Sequence, residues 1–337
     1  MKKSLLALAV LGAFAASAQA QTSVTVYGSF DAGVRHQSNV SSDDSNTTMS
    51  SSGTYKSNRI GFKGVEDLGG GLNAHFDLET GFNTGNGAVA GNLFNRAAYV
   101  GLGGAWGALD LGHQYSVNFK TIGKYDPFNY NYTGIIPLAT QGSLTRLNSD
   151  IQYSGKFGPV GVMAEYALGE QTTGTSDGST YALGGNYSGG PFTVGAAYTN
   201  RKNTAGSANQ KDWTVGGAYA TGPFRVALGY ADNKYEAGYV AGDAEIRAKD
   251  AWVGGSYAVS PAAAVSAAYY QTKYSEGAAD GKRKMFIIGA TYALSKRTNF
   301  YADIDTRRYD GAAGAALSTN KNNETQNGIS VGINHLF

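Results

Sequence analysis

A chain of 337 residues with no cysteine and 6 prolines, but 48 glycines and 23 tyrosines, excludes a disulfide-stapled scaffold and favours strands and tight turns over helices. The 27 Lys plus Arg nearly balance 25 Asp plus Glu, so no global basic field exists to attract nucleic acid. Beyond residue 20 there is no run of about 18 consecutive apolar residues, which excludes a transmembrane helix but not a membrane-crossing sheet.

Residues 1–20 have the three-part layout of a secretory signal peptide. Lys2 and Lys3 supply the basic region, 5–16 (L-L-A-L-A-V-L-G-A-F-A-A) the apolar one, and S-A-Q-A at 17–20 the small-residue cleavage site. The apolar run is too short to anchor in a bilayer. Cleavage would start the mature chain at Gln21, leaving one domain over 21–337. Removing Lys2 and Lys3 from the 27 basic residues leaves 25 against 25 acidic ones.

From there, alternation dominates. In S-V-T-V-Y-G-S-F-D-A-G-V (23–34), Val24, Val26, Gly28 and Phe30 share one face, and Thr25, Tyr27, Ser29 and Asp31 the other. Leu72, Ala74, Phe76 and Leu78 oppose Asn73, His75, Asp77 and Glu79. The pattern recurs at 160–168, 224–230 and 299–307, and this period of two is the strand signature. Short turns lie at 66–71, 103–105, 158–159, 189–191, 221–223, 260–262 and 295–297. Longer polar stretches lie near 36–55, 83–93, 117–146, 170–179, 202–210, 236–246, 275–282 and 310–326.

Short and long connectors that alternate in this way join sixteen strands and put every long loop at one end. That asymmetry predicts an all-β, sixteen-stranded antiparallel transmembrane barrel with short periplasmic turns and long external loops. Closure satisfies every backbone amide within lipid. Tyr166, Tyr187, Tyr198, Tyr219, Tyr230, Tyr257 and Tyr292, near strand ends, suit interfacial girdles. Sixteen strands leave an aqueous lumen. In the last strand Ile329, Val331, Ile333, His335 and Phe337 share the lipid-facing parity.

Several stretches resemble the general porins of Gram-negative outer membranes, of the β-proteobacterial type. They are V-T-V-Y-G-S-F-D-A-G (24–33), R-I-G-F-K-G-V-E-D-L-G-G-G-L (59–72), F-N-R-A-A-Y-V-G-L-G-G (94–104), L-G-H-Q-Y (111–115), Y-D-P-F (125–128), R-L-N-S-D-I-Q-Y (146–153) and the terminal G-I-S-V-G-I-N-H-L-F (328–337). The resemblance implies a homotrimer of barrels in the outer membrane, among lipid and lipopolysaccharide, with the third external loop folded inward as a constriction. It also implies that the terminal Phe337 is read by the barrel-insertion machinery. No cofactor, metal or nucleic acid is expected, and the traffic is small ions and solutes.

Arg59, Arg96 and Arg146 resemble that family's basic wall opposite loop three. Lys63 shares the face of Arg59, while Ile60 and Phe62 take the lipid side. A mid-strand charge costs roughly 2.5–3.5 kcal/mol in hydrocarbon and so belongs in a water-filled lumen. Arg96 and Arg146 begin strands, and for them snorkelling at the rim is the alternative. With Arg96 inward, Ala97, Tyr99 and Gly101 take the outward parity. Loop three carries Lys120, Lys124, Tyr125, Asp126, Phe128, Tyr130 and Tyr132, whose aromatics give apolar purchase for an inward fold. Asp126 is the only acid between 116 and 149. Lumen parity also holds Asp31, Asp77, Glu79, Asp110, Glu165, Asp303 and Asp305, a spread of charges that gives weak selectivity.

The expected activity is passive diffusion of small hydrophilic solutes and ions with weak anion preference. The alternative is a porin selective for organic acids, phosphate or another anion, and the distant one a barrel hydrolase. For a hydrolase, His75 with Asp77 is the only base-and-orienter pair in view, and no serine is identifiably placed beside it. G-L-G-G-A-W-G (101–107) opens no helix and breaks the phosphate-loop spacing. S-S-D-D-S-N (41–46) lacks calcium-loop spacing and reads as a solvated loop.

Overall fold

The computed structural model describes residues 23–41, 44–49, 53–132, 135, 144–240, 243–311 and 325–337. The expected signal peptide, most of the 310–326 loop, all of the 133–143 stretch but Ile135 and part of S-S-D-D-S-N lie outside the described residues.

The strands follow the alternating segments. First come β1 (Ser23–Ser41), β2 (Asp44–Met49), β3 (Arg59–Gly69), β4 (Leu72–Gly81), β5 (Ala97–Gly104) and β6 (Gly107–Tyr115). Among the described residues one helix, α1 (Val117–Ile122), separates them from β7 (Arg146–Phe157), β8 (Val160–Ala167), β9 (Thr180–Gly189), β10 (Phe192–Lys202) and β11 (Asn209–Thr221). The rest are β12 (Phe224–Tyr235), β13 (Ile246–Ala258), β14 (Ala263–Glu276), β15 (Ala279–Ala293), β16 (Thr298–Gly311) and β17 (Thr325–Leu336).

The strands pair antiparallel in chain order from β3 to β17. β1 closes the ring, pairing with β3 over 23–29 on one edge and with β17 over 29–37 on the other. The closed wall is therefore sixteen strands, β1 and β3 to β17. β2 is an addition that returns along the upper edge of β1. Loop one is accordingly less irregular than its composition suggests, and His36 sits in a strand with Nδ1 2.9 Å from Thr47 Oγ1. The stretch 275–282 likewise folds as a long tight hairpin, with Glu276 paired to Ala279. Gly69, Gly70 and Gly71 all have positive φ and make the first short turn, where a side chain would be strained.

Val24, Val26 and Phe30 are exposed on the outer face, as are Ile329, Val331 and Ile333. Girdle aromatics meet their cross-strand partners, Phe192 with Tyr219 at 5.0 Å and Phe224 with Tyr257 at 4.6 Å. Phe337 exchanges both backbone hydrogen bonds with Gly28, at 3.1 and 3.2 Å. The outer surface is therefore the apolar one, as solvation by lipid requires.

The main buried apolar cluster is not in the wall but between it and the third loop. Ile122, Tyr125, Phe128, Tyr132 and Ile135 pack on Trp252, Tyr270, Met285, Ile287 and Tyr301.

Candidate pore constriction

Loop three enters the barrel through α1, a helix that composition does not announce. Ser116 caps it, its Oγ accepting the Phe119 N–H at 3.2 Å. The Glu165 carboxylate accepts the Val117 N–H at 2.9 Å, fastening the helix start to β8. Lys120 turns from the lumen to bond the Gln152 side chain. Asn129, Tyr130 and Tyr132 all have positive φ, a strained path that docking holds in place.

Small wall residues make the seat. A Cβ at Gly216 would stand 2.2 Å from the Tyr125 ring, and one at Gly289 would stand 2.3 Å from that of Tyr132. Arg225 reaches from β12 to the carbonyl oxygens of Asp126 (2.9 Å), Pro127 (3.0 Å) and Lys124 (3.3 Å). Trp252 donates to the Tyr125 carbonyl at 3.3 Å. Asp126, expected among the constriction residues, is instead fully buried. Its carboxylate accepts the Tyr270 hydroxyl at 2.9 Å and the N–H groups of Phe128 (3.0 Å) and Tyr130 (2.9 Å). Burial raises its pKa to about 6 against the lowering effect of those bonds. It serves the loop's docking and presents no charge to the channel. Tyr125 and Phe128 are buried with it, while Lys124 is exposed and faces the short-turn end with Lys156.

The basic residues converge. Glu79 takes Arg96 Nε at 2.6 Å and Arg59 Nε at 3.3 Å. The Tyr115 hydroxyl accepts from Arg96 (2.6 Å) and from Arg146 (2.7 Å), and the Arg146 guanidinium lies 4.2 Å over the Tyr115 ring. Arg59, Glu79, Arg96, Tyr115 and Arg146 thus form one chain of contacts holding three cations and one carboxylate. Lys56, from the return of loop one, adds a fourth cation, its pKa lowered by burial and by the Arg59 charge. Across a recess of about 360 Å³ stand Phe119, Asn129, Tyr130 and Asn131 of loop three. Tyr115, Phe119 and Tyr130 stack in series at 4.9 and 4.3 Å.

The neighbours of Arg96 reverse the expected parity. Ala97 is buried and Val100 is 56% exposed, so Ala97, Tyr99 and Gly101 face inward and Val100 and Leu102 face lipid. Arg96 still reaches the lumen because it precedes β5, after a left-handed turn at Phe94 (φ 57°). Alternation does not govern a residue outside the strand.

The lumen carboxylates are mostly engaged. Asp31 caps the loop-one return through Thr54 N–H (2.8 Å) and Lys56 N–H (3.2 Å), and accepts the Tyr301 hydroxyl at 2.9 Å. Asp77 accepts the Tyr27 hydroxyl at 2.7 Å, and Lys63 lies 5.1 Å over the Tyr27 ring. His75 pairs with Asp110 at 2.7 Å, not with Asp77. Asp305 pairs with Arg35 at 2.7 Å and Arg307 at 3.3 Å, and Asp303 lies 3.6 Å from Arg35. Tyr115, Lys56 and Arg225 are the residues that sequence reasoning missed. Tyr115 alone left a trace, inside the stretch L-G-H-Q-Y.

A sequence profile of the Gram-negative porin family matches residues 7–312. The chain belongs to this family. Outer membrane porin protein 32 of Delftia acidovorans is 32% identical over the whole of both chains. An outer membrane porin protein of Bordetella pertussis is 44% identical over 147 residues, which is 39% of this chain and 38% of that one. Among solved structures, an anion-selective porin from Comamonas acidovorans superposes with a TM-score of 0.80 at 25% identity, covering 94% of this chain and all of that one. This porin is therefore an outer-membrane β-barrel channel and not an enzyme. The His75 contact is part of the lumen wall.

Proposed function

We propose that this porin passes small hydrophilic solutes and ions with a weak preference for anions, selected where Arg59, Arg96 and Arg146 face loop three. The observation that carries this reading is the charge imbalance at that level. Three guanidiniums and Lys56 gather around one carboxylate, Glu79, which pairs with Arg59 and Arg96, while the one acid described on the facing loop is buried away from the water. A positive wall of this kind attracts anions and repels cations, yet its charges are few enough for an ion to leave. Likeness to an anion-selective porin supports the same sign. Reversal potential across planar bilayers in a KCl gradient tests it, and a cation-selective potential would sink it.

The convergent guanidiniums also favour a second reading, a site for a carboxylate- or phosphate-bearing solute. Concentration-dependent, saturable block of single-channel current by one such solute would establish it. A trimer of these barrels and cleavage after Ala20 complete the proposal. Mobility of the unheated protein in electrophoresis and the mass of the mature chain test them.

A further inference from the structure

A second cluster of basic residues lies on the outer surface, far from the channel. Lys249, Lys273 and Lys282 are direct cross-strand partners on β13, β14 and β15. They share the outward parity of Val253, Tyr269 and Phe286, each four residues further along its strand toward the membrane and exposed. The same register row continues through Asp232 to Trp213, a residue type that settles at the headgroup level. The row therefore lies on the long-loop side, where the apolar band ends.

Its charges are only partly compensated from within the protein. Asp232, at one end, is taken by Arg247 at 2.6 and 2.8 Å. Asp310, opposite Lys282, is taken by Arg308 at 3.2 Å, with Lys284 at 3.7 Å. Among the described residues no carboxylate lies within ion-pair distance of Lys249, Lys273 or Lys282. Like charges directly opposite one another in a sheet repel, with Cβ atoms only about 4.5–5.5 Å apart. The surface there is a recess of about 740 Å³ in which these lysines, Arg247 and Lys284 outnumber Glu245, Asp280 and Asp310, and that excess of positive charge favours an external anion.

We propose that this lysine row binds the phosphate groups of a phosphorylated glycolipid in the surrounding outer leaflet. Phosphate suits an ammonium as a compact point-charge partner. A lipid, unlike a soluble anion, is held by the bilayer at the depth of Trp213 and beside Tyr269 and Phe286. The row plays no part in the channel, so its test is separate from that of ion selectivity.

The detergent-extracted protein is titrated with bisphosphorylated lipid A, with dephosphorylated lipid A and with inorganic phosphate, and bound lipid is counted by native mass spectrometry. Wild type binds the phosphorylated lipid most tightly. The triple variant Lys249→Gln, Lys273→Gln, Lys282→Gln binds it on the order of a hundredfold more weakly, whereas Lys211→Gln, outside the row, is unchanged. Lys273→Gln alone raises the unfolding temperature in lipid-free detergent, where it relieves repulsion, and lowers it once the lipid is added. Equal binding of phosphorylated and dephosphorylated lipid overturns the proposal, as does equal binding of inorganic phosphate. Unchanged lipid binding by the triple variant, with or without a change of oligomeric state, also overturns it.

Discussion

Replacing Arg146 by Gln removes one charge from the constriction and leaves no acid unpaired. Its partners are the Tyr115 hydroxyl and ring and the Arg96 carbonyl, not a carboxylate. A monovalent ion passing about 6 Å from the guanidinium in water feels roughly 0.7 kcal/mol, which 0.1 M salt reduces to about half. The anion loses this attraction and the cation loses an equal repulsion. The anion-to-cation permeability ratio should therefore fall by roughly fourfold. Zero-current potentials in a KCl gradient measure that ratio, and repeating them at higher salt should shrink the difference. Glu79→Gln is the counterpart, deleting the carboxylate shared by Arg59 and Arg96. The same estimate gives a rise of roughly fourfold in the ratio. If Arg146→Gln leaves it unchanged, or if both substitutions move it in one direction, ions do not sense this wall and the selectivity reading fails.

Four further outcomes follow from the loop-three seat and the barrel seam. Arg225→Ala strands three carbonyl oxygens at a cost of about 1–3 kcal/mol for the docked loop, so single-channel current should flicker far more while the barrel's sheet signal persists. Gly216→Ala pushes on the Tyr125 ring, costs about 1–3 kcal/mol by overpacking and should produce the same flicker. Asp126 has its folded pKa raised above the unfolded value, so the neutral acid favours docking below about pH 4. That stability is lost as pH rises through about 6, by up to roughly 3 kcal/mol, and protection of the Phe128 and Tyr130 amides from hydrogen exchange, corrected for intrinsic rates, should fall between those values. Deleting Phe337 removes two backbone bonds to Gly28 at the seam and should lower the yield of folded barrel in a refolding gel-shift assay.

The wall was legible in the sequence because one rule governs it everywhere: water lies on one side and lipid on the other, and a strand alternates between them. Arg59 is the first residue of β3 and not a mid-strand charge as expected, yet it keeps the strand's alternation and its direction follows from Ile60, Gly61 and Phe62. Arg96 shows where that rule stops. It stands one residue before its strand, behind a left-handed Phe94, so its inward direction does not carry over to Ala97 and Val100, whose parity is the reverse of the one that alternation from Arg96 predicts. The interior of loop three was illegible for a related reason. Its aromatic content announces an inward fold, but the fastening of α1 to Glu165, the burial of Asp126 and the hold of Arg225 depend on residues 48, 144 and 99 positions apart. No local period records such contacts. The one local record is the run of lumen-side glycines, Gly195, Gly216 and Gly289, at positions where a wall could have carried side chains. A Cβ at each would press on Tyr125 or Tyr132. A small residue on the water-facing parity of a wide barrel thus marks the place where another segment is seated, and by that mark the constriction loop lies against β10, β11 and β15, leaving the arginines of the opposite wall to face the open water.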